Sequence, residues 1–361
     1  RADADGTERD RAAHGDGSDA GRDKTDSDAV QGRNRAHQGD GDGSHADADG
    51  HSEPGKNDAD AANSAEHDAA GRDGDSDAES GDGKSDGDGS GEDPDKKPLT
   101  VEERQEWVDQ LHEGRDQDAF NQKHRTVGPD AEVKVIEPGD KLYPKRTKPF
   151  GVGVDLEANA HYEVTRTTKS GVSYKTHYYT DASGEVRHVE TNSKAVTGEL
   201  NPDLRQPYPN ATYTVDGRFH YTTDKWARTV RMEVDVLGDV GERFRSRSDA
   251  VQKRVKDYGN DLASEYDTTY NGGHVAGARS GGPSEEINTI AMLEEVNQYR
   301  VDSKLKSYYK FEEEVAANPE NFKKLVLEFK YPEPTGPKLT DSERVPTRFE
   351  ATWTDANGIP D

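Results

Sequence analysis

Hydrophobic residues are spread very unevenly along this 361-residue chain. From Arg1 to Pro98, Val30 is the only apolar residue other than alanine, and there is no aromatic. Such a stretch cannot bury enough apolar surface to offset the entropy of ordering its backbone, so 1–98 reads as a disordered linker. Periodic patterns begin immediately after it. Thr100-Val-Glu-Glu103 fits a capping box at the start of a helix running to about Leu111, with Trp107, Val108 and Leu111 on one face. Ala131 to Ile136 alternates like a strand, and Glu137-Pro-Gly-Asp140 reads as a turn. Residues 99–150 therefore form a small leader module ahead of a larger domain over 151–361.

Within 160–237 the pattern echoes itself. His177-Tyr-Tyr-Thr-Asp181 is followed by Val186-Arg187, and His220-Tyr-Thr-Thr-Asp224 by Val230-Arg231. Each copy reads as two strands about a tight turn, and two hairpins predict one antiparallel sheet. The alternating Tyr and His residues fit cross-strand packing better than a base-stacking platform, so the sheet reads as scaffold. Further on, Glu286 to Met292 reads as a short strand and Leu293 to Ala317 as a helix interrupted near Val301 to Ser303, ended by Asn318-Pro319. Alternation over Lys324 to Tyr331 and Arg348 to Thr354 predicts a closing antiparallel pair within 323–355. The fold class is α+β.

Charge changes this picture only locally. The net charge is −26, and residues 1–98 hold 12 Lys and Arg against 28 Asp and Glu, leaving 36 against 46 in the remainder. The Gly-Asp-Gly-Asp pieces of the tail do not recur at a spacing that builds a calcium loop. Against this acidic background, Arg243, Arg245, Arg247, Lys253 and Arg254 lie within a short basic cluster, read either as a solvated helix face or as a phosphate-binding surface. Cysteine is absent, which excludes disulfides and thiolate metal sites. No apolar run is long enough to span a membrane, and a chain that begins at Arg1 reads as a piece of something longer, with its targeting information upstream.

The candidate chemistry sits at Asn271-Gly-Gly-His-Val-Ala-Gly-Ala-Arg-Ser-Gly-Gly-Pro-Ser-Glu285, where His274 stands among glycines, followed by Asn288 on the next strand and Asn297 on the next helix. Phosphodiester hydrolysis needs a nucleophile made from water and stabilisation of charge on the phosphate and the leaving oxygen. A neutral histidine supplies the first. One hydrated Mg2+ held by an amide oxygen supplies the rest. Singly, each residue also has a plainer reading: His274 as a turn histidine, Asn288 as a satisfier of buried backbone, Asn297 as a surface residue, Arg279 as a solvated cation, Glu312 as part of a charged helix face.

Taken together, the stretch from about Tyr258 to Ala317 resembles the DNA/RNA non-specific endonucleases of the ββα-metal class, in the branch found at the carboxy termini of bacterial secreted polymorphic toxins. The resemblance rests on Gly273-His274, Val275-Ala276, Gly281-Gly282, Asn288 to Met292, Asn297 and Glu312, and extends over about 160–355. It implies a ββα-metal core over 258–317 with His274 as general base, Asn297 as ligand of Mg2+ or of Mn2+ in its place, Asn288 in support, and Glu312 orienting metal-bound water. Better-known relatives carry Asp-Arg-Gly-His where this chain has Asn271-Gly-Gly-His274, so Arg279 or one of Arg243 to Arg254 is expected to face the phosphate instead.

The resulting expectation is a non-specific nuclease acting on DNA, RNA or both, since a grip on backbone phosphates alone carries no sequence information. The branch further implies a secreted antibacterial toxin acting in the target-cell cytoplasm, with a cognate immunity protein. Two rival readings are an inactive nuclease-fold interaction module and a structural β-repeat protein. An upstream array continuing the Tyr-Thr-Asp echo would favour the latter.

Overall fold

The computed structural model describes residues 97–115, 118–143, 150, 155–298 and 307–360. All but the end of the acidic tail over 1–98, and the helix interruption expected near Val301 to Ser303, lie outside the described residues.

Helix α1 (Val101–Gly114) starts with the expected capping box: Glu103 N donates to Thr100 Oγ1 at 3.2 Å and Thr100 N to a Glu103 carboxylate oxygen at 2.8 Å. Its Val108 is fully buried with Val172, Tyr174 and Val196, flanked by Trp107 and Leu111. Asp118 caps α2 (Ala119–His124), and β1 (Val133–Ile136) pairs in parallel with β2 (His161–Thr167).

The echo in the sequence is a repeated three-stranded meander. The first copy is β2, β3 (Ser173–Thr180) and β4 (Val186–Thr191). After the short helices α3 (Lys194–Thr197) and α4 (Pro202–Arg205), the second copy is β5 (Thr212–Val215), β6 (Phe219–Thr223) and β7 (Thr229–Val236). The bonds that shape each copy recur. Tyr162 Oη accepts from Glu157 N as Tyr213 Oη accepts from Tyr208 N, and Thr180 Oγ1 donates to Glu157 O as Thr223 Oγ1 donates to Tyr208 O. Asn159 and Asn210 both sit at φ near 50°, a conformation asparagine tolerates better than most residues. Asp181 and Asp224 each gather the amides of the following turn. Copy one joins copy two through the parallel pair β4 and β5.

Next come α5 (Asp249–Asp257), α6 (Asn260–Tyr266) and the two-stranded β8 (Tyr270–His274) with β9 (Thr289–Leu293). They are followed by α7 (Glu294–Asn297), α8 (Tyr308–Ala317), β10 (Lys323–Lys330) and β11 (Arg348–Thr354). The closing pair is antiparallel as expected, and β10 also pairs with β7. Among the described residues, nine strands thus make one sheet in the order β1-β2-β3-β4-β5-β6-β7-β10-β11.

One face of that sheet, with Tyr162, Tyr178, Tyr213, Tyr221 and Met232, forms a single core with Val275, Ala276, Ile287, Ile290 and Met292 around the β8–β9 pair, and with Tyr308 and Val315 of α8. The scaffold therefore carries the β8–β9–α8 unit on its apolar face.

Two expectations need correction. Glu286 to Met292 is not all strand: Glu286–Asn288 is a single 3-10 turn, and the strand begins at Thr289. The turn faces Asn288 inward, where its side chain is fully used by the backbone of Ala276 and Pro283 and by the Tyr221 hydroxyl. In Leu293 to Ala317 the helix ends earlier than the interruption expected near Val301 to Ser303, since extended Gln298 ends α7 and Ser307 starts α8 by accepting from Lys310 N at 3.3 Å. Ser307 was the missed start signal.

Candidate active site

His274 ends β8 opposite Thr289, and the glycines around it are required by what lies against them. A Cβ on Gly272 would sit 2.6 Å from the Cα of Gln252 in α5. A Cβ on Gly273 would sit 2.8 Å from Asn297 Oδ1, so the Asn297 amide oxygen is pressed onto the backbone next to His274. A Cβ on Gly277 would collide with the Glu312 carboxylate, which accepts a hydrogen bond from Gly277 N–H. Only hydrogen fits against the Gln252 backbone at Gly272, and a methyl group at Gly273 or Gly277 would have to push the Asn297 or Glu312 side chain aside. The chain from Gly273 to Gly277 therefore has an imidazole, an amide oxygen and a carboxylate on one stretch of backbone.

The support for this stretch comes from Asn288. Its Oδ1 accepts from Ala276 N at 2.8 Å and from Tyr221 Oη at 2.9 Å, while its Nδ2 donates to Ala276 O at 2.9 Å and Pro283 O at 2.7 Å. Both lone pairs and both amide hydrogens are used, so Asn288 clamps the 276–283 loop to Tyr221 of the scaffold. Tyr308 Oη donates to Val275 O, tying α8 to the residue after His274. Thr229 Oγ1 donates to Ile287 O at 2.7 Å.

The electrostatics follow from burial. His274 Nε2 is buried and has no partner, and burial, with Arg247 adding like charge, lowers its pKa to about 4. The imidazole is neutral at pH 7. Glu312 Oε1 is likewise buried without a partner, and burial pushes its carboxyl up to about 8 against the pull of Gly277 N–H, Arg279 and Arg247. Arg247 thus acts on both His274 and Glu312.

The basic cluster divides. Arg243 is held by both Glu103 oxygens and by Lys97 O, Arg245 by Asp239, and Arg254 by Glu286. Lys253 is exposed on α5, where nothing places it near His274. Arg247 and Arg279 are the cluster's members whose charge reaches the site; Arg279 also lies 4.0 Å from Asp239.

The oxygen donors beside His274 are of the kind that a hydrated divalent cation takes. Among the described residues no group of three His, Cys, Asp or Glu side chains could enclose a metal. Asn297 Oδ1 and the unpartnered Glu312 oxygen are hard oxygen donors, which is what a cation that keeps most of its own water requires. Such a charge beside Glu312 would reverse the upward shift of its carboxyl.

No helix among the described residues is long and apolar enough to cross a membrane. No curated protein matches the chain. The model of the DNA/RNA non-specific endonuclease family matches residues 209–332, from the second meander to the start of the closing pair, so this stretch, with His274, Asn288, Asn297 and Glu312 inside it, is a DNA/RNA non-specific endonuclease domain.

Proposed function

We propose that the chain hydrolyses phosphodiester bonds of DNA, RNA or both with Mg2+, Mn2+ serving in its place. His274 is the base, Asn297 the cation's protein ligand, and Arg247 with Arg279 the phosphate-facing charges. The observation that carries this reading is the packing of Asn297 Oδ1 on Gly273 and of Glu312 on Gly277, either side of His274. Family members are generally metal-dependent, which supports the cofactor.

With its pKa lowered by burial, the His274 imidazole is neutral and can take a proton from an attacking water as the P–O bond to the leaving oxygen breaks. A base with a pKa near 4 is weak, but a phosphate arriving beside it opposes the field of Arg247 and raises its basicity. Arg247 and Arg279 pair with phosphate oxygens and steady the growing negative charge. Glu312, fixed by Gly277 N–H, orients the cation's hydration, and Asn288 keeps the loop from shifting these groups. When bound, the cation supplies charge neutralisation at the phosphate and the leaving oxygen. Backbone contacts alone give no sequence preference.

We further propose the biological setting that the resemblance implies: a secreted antibacterial toxin acting in the cytoplasm of the target cell and neutralised in the producer by an immunity protein. Expression of the chain in a bacterium, with growth and nucleic-acid integrity as readouts, tests this. Growth arrest that His274→Ala relieves supports the toxin role, and unimpaired growth with an enzyme active in vitro contradicts it.

A further inference from the structure

The second cavity of interest lies outside the endonuclease match, on the opposite face of the first meander. Because successive strand residues alternate faces, His177 and Tyr179 of β3 point away from the core that Tyr178 enters. They line a cavity of about 180 Å3 with Glu190 of β4 and Arg115, the residue that follows α1.

Arg115 is only 4% exposed. Its Nη2 donates to Asn192 Oδ1 at 2.8 Å and Thr191 O at 3.4 Å, yet its Nε and Nη1 are buried with no acceptor. Three N–H bonds of a buried guanidinium are thus unsatisfied, at a cost that a native fold rarely tolerates without a ligand. Two other cations reach the cavity, and each has its own carboxylate. Arg125 forms a two-pronged pair with Glu190 at 2.6 and 2.9 Å, and Lys175 lies 2.8 Å from Glu163. Asp216 acts on Arg115 from behind, but its oxygens bond Ser193. After these pairs cancel, the wall keeps one positive charge and a surplus of donors.

We propose that this cavity binds a small tetrahedral oxyanion of the phosphate type, with Nε–H and Nη1–H of Arg115 as its anchors and Lys175 and Arg125 at its sides. A tetrahedral anion offers acceptors in several directions, which matches donors arriving from α1, β3 and the segment after α2. Burial and the charge of Arg115 hold His112 neutral, with a pKa of about 4.

Calorimetric titration of the full chain with inorganic phosphate, in the presence of EDTA, tests the site. The expected result is saturable binding that Arg115→Gln and Lys175→Glu each weaken about tenfold or more. Lys175 is on the surface, so its variant keeps the test open if Arg115→Gln fails to fold. Repeating the titration with a phosphate monoester separates the free ion from a terminal phosphate as the natural source. Absence of saturable binding, or binding lost in Arg247→Ala and kept in both cavity variants, overturns the proposal.

Discussion

Gly272 lies flat against the backbone of Gln252, whose Nε2 donates to Gly272 O at 3.2 Å. This contact explains why the arginine of the related Asp-Arg-Gly-His pattern has no place two residues before His274. Helix α5 occupies the volume, and we propose that Arg247, just ahead of that helix, brings the charge instead. Accordingly, Gly272→Arg should not raise activity and should destabilise the fold by about 3 kcal/mol or more. Arg247→Ala should lower kcat/KM by about 100-fold, whereas Arg243→Ala, which breaks the bonds to Glu103 and Lys97 O, should keep kcat/KM within about twofold. Steady-state cleavage kinetics and urea melts decide this.

The Glu312 carboxylate is seated on Gly277 with no room for a methyl group. Gly277→Ala should push it away and reduce kcat about 10- to 100-fold, close to the loss in Glu312→Gln, and the double variant should be little worse than either. Additive losses in that cycle would mean that the two residues act separately.

Asn288 and Asn297 should part company when each is replaced by alanine. Asn288→Ala leaves the backbone groups of Ala276 and Pro283 and the Tyr221 hydroxyl without partners, and should cost on the order of 3 kcal/mol of stability. Asn297→Ala removes a half-buried side chain with no comparable bonds, and should leave stability unchanged while raising the Mg2+ concentration needed for activity. Chemical denaturation and a Mg2+ titration of cleavage give the two readouts.

Glu285 links the nuclease loop to the segment between the meanders. Its Oε1 accepts from Lys194 N and Asn201 N, both at 2.9 Å, while Oε2 is buried without a partner. Burial pushes its pKa up to about 7 from an ordinary 4.5. The folded protein therefore binds this proton more tightly than the unfolded chain, and stability falls as pH rises from about 4.5 through about 7. Glu285→Gln keeps the accepting oxygen and removes the charge. Its gain over the parent should be near zero at pH 4 and grow to on the order of 3 kcal/mol at pH 8, measured by urea unfolding. A pH-independent difference would contradict the assignment.

Much of the architecture could be read from the sequence because it is local. The Thr100 to Glu103 box, the alternation in 323–355 and the Tyr-Thr-Asp echo all depend on neighbours within a few residues. The first strand of each meander, β2 or β5, lies outside the echoed motif, and the matching bonds to Tyr162 Oη and Tyr213 Oη that relate the two appear only in the folded copies. The order of His274, Asn288 and Asn297 pointed to the site. What sequence could not supply was the division of the basic cluster, since only the fold pairs Arg243 with Glu103 and brings the charge of Arg247 to bear on His274. The cavity around Arg115 joins α1 to strands many residues away, and no spacing announces it.

The most direct test is cleavage of plasmid DNA and of a long RNA by the full chain with Mg2+, alone, with EDTA, and as His274→Ala. Degradation of at least one substrate is predicted, abolished by EDTA and reduced about 1,000-fold or more in the variant with its fold intact. Intact substrates with Mg2+ present, or undiminished cutting by a pure preparation of His274→Ala, would contradict the assignment of His274 as the base of a metal-dependent nuclease.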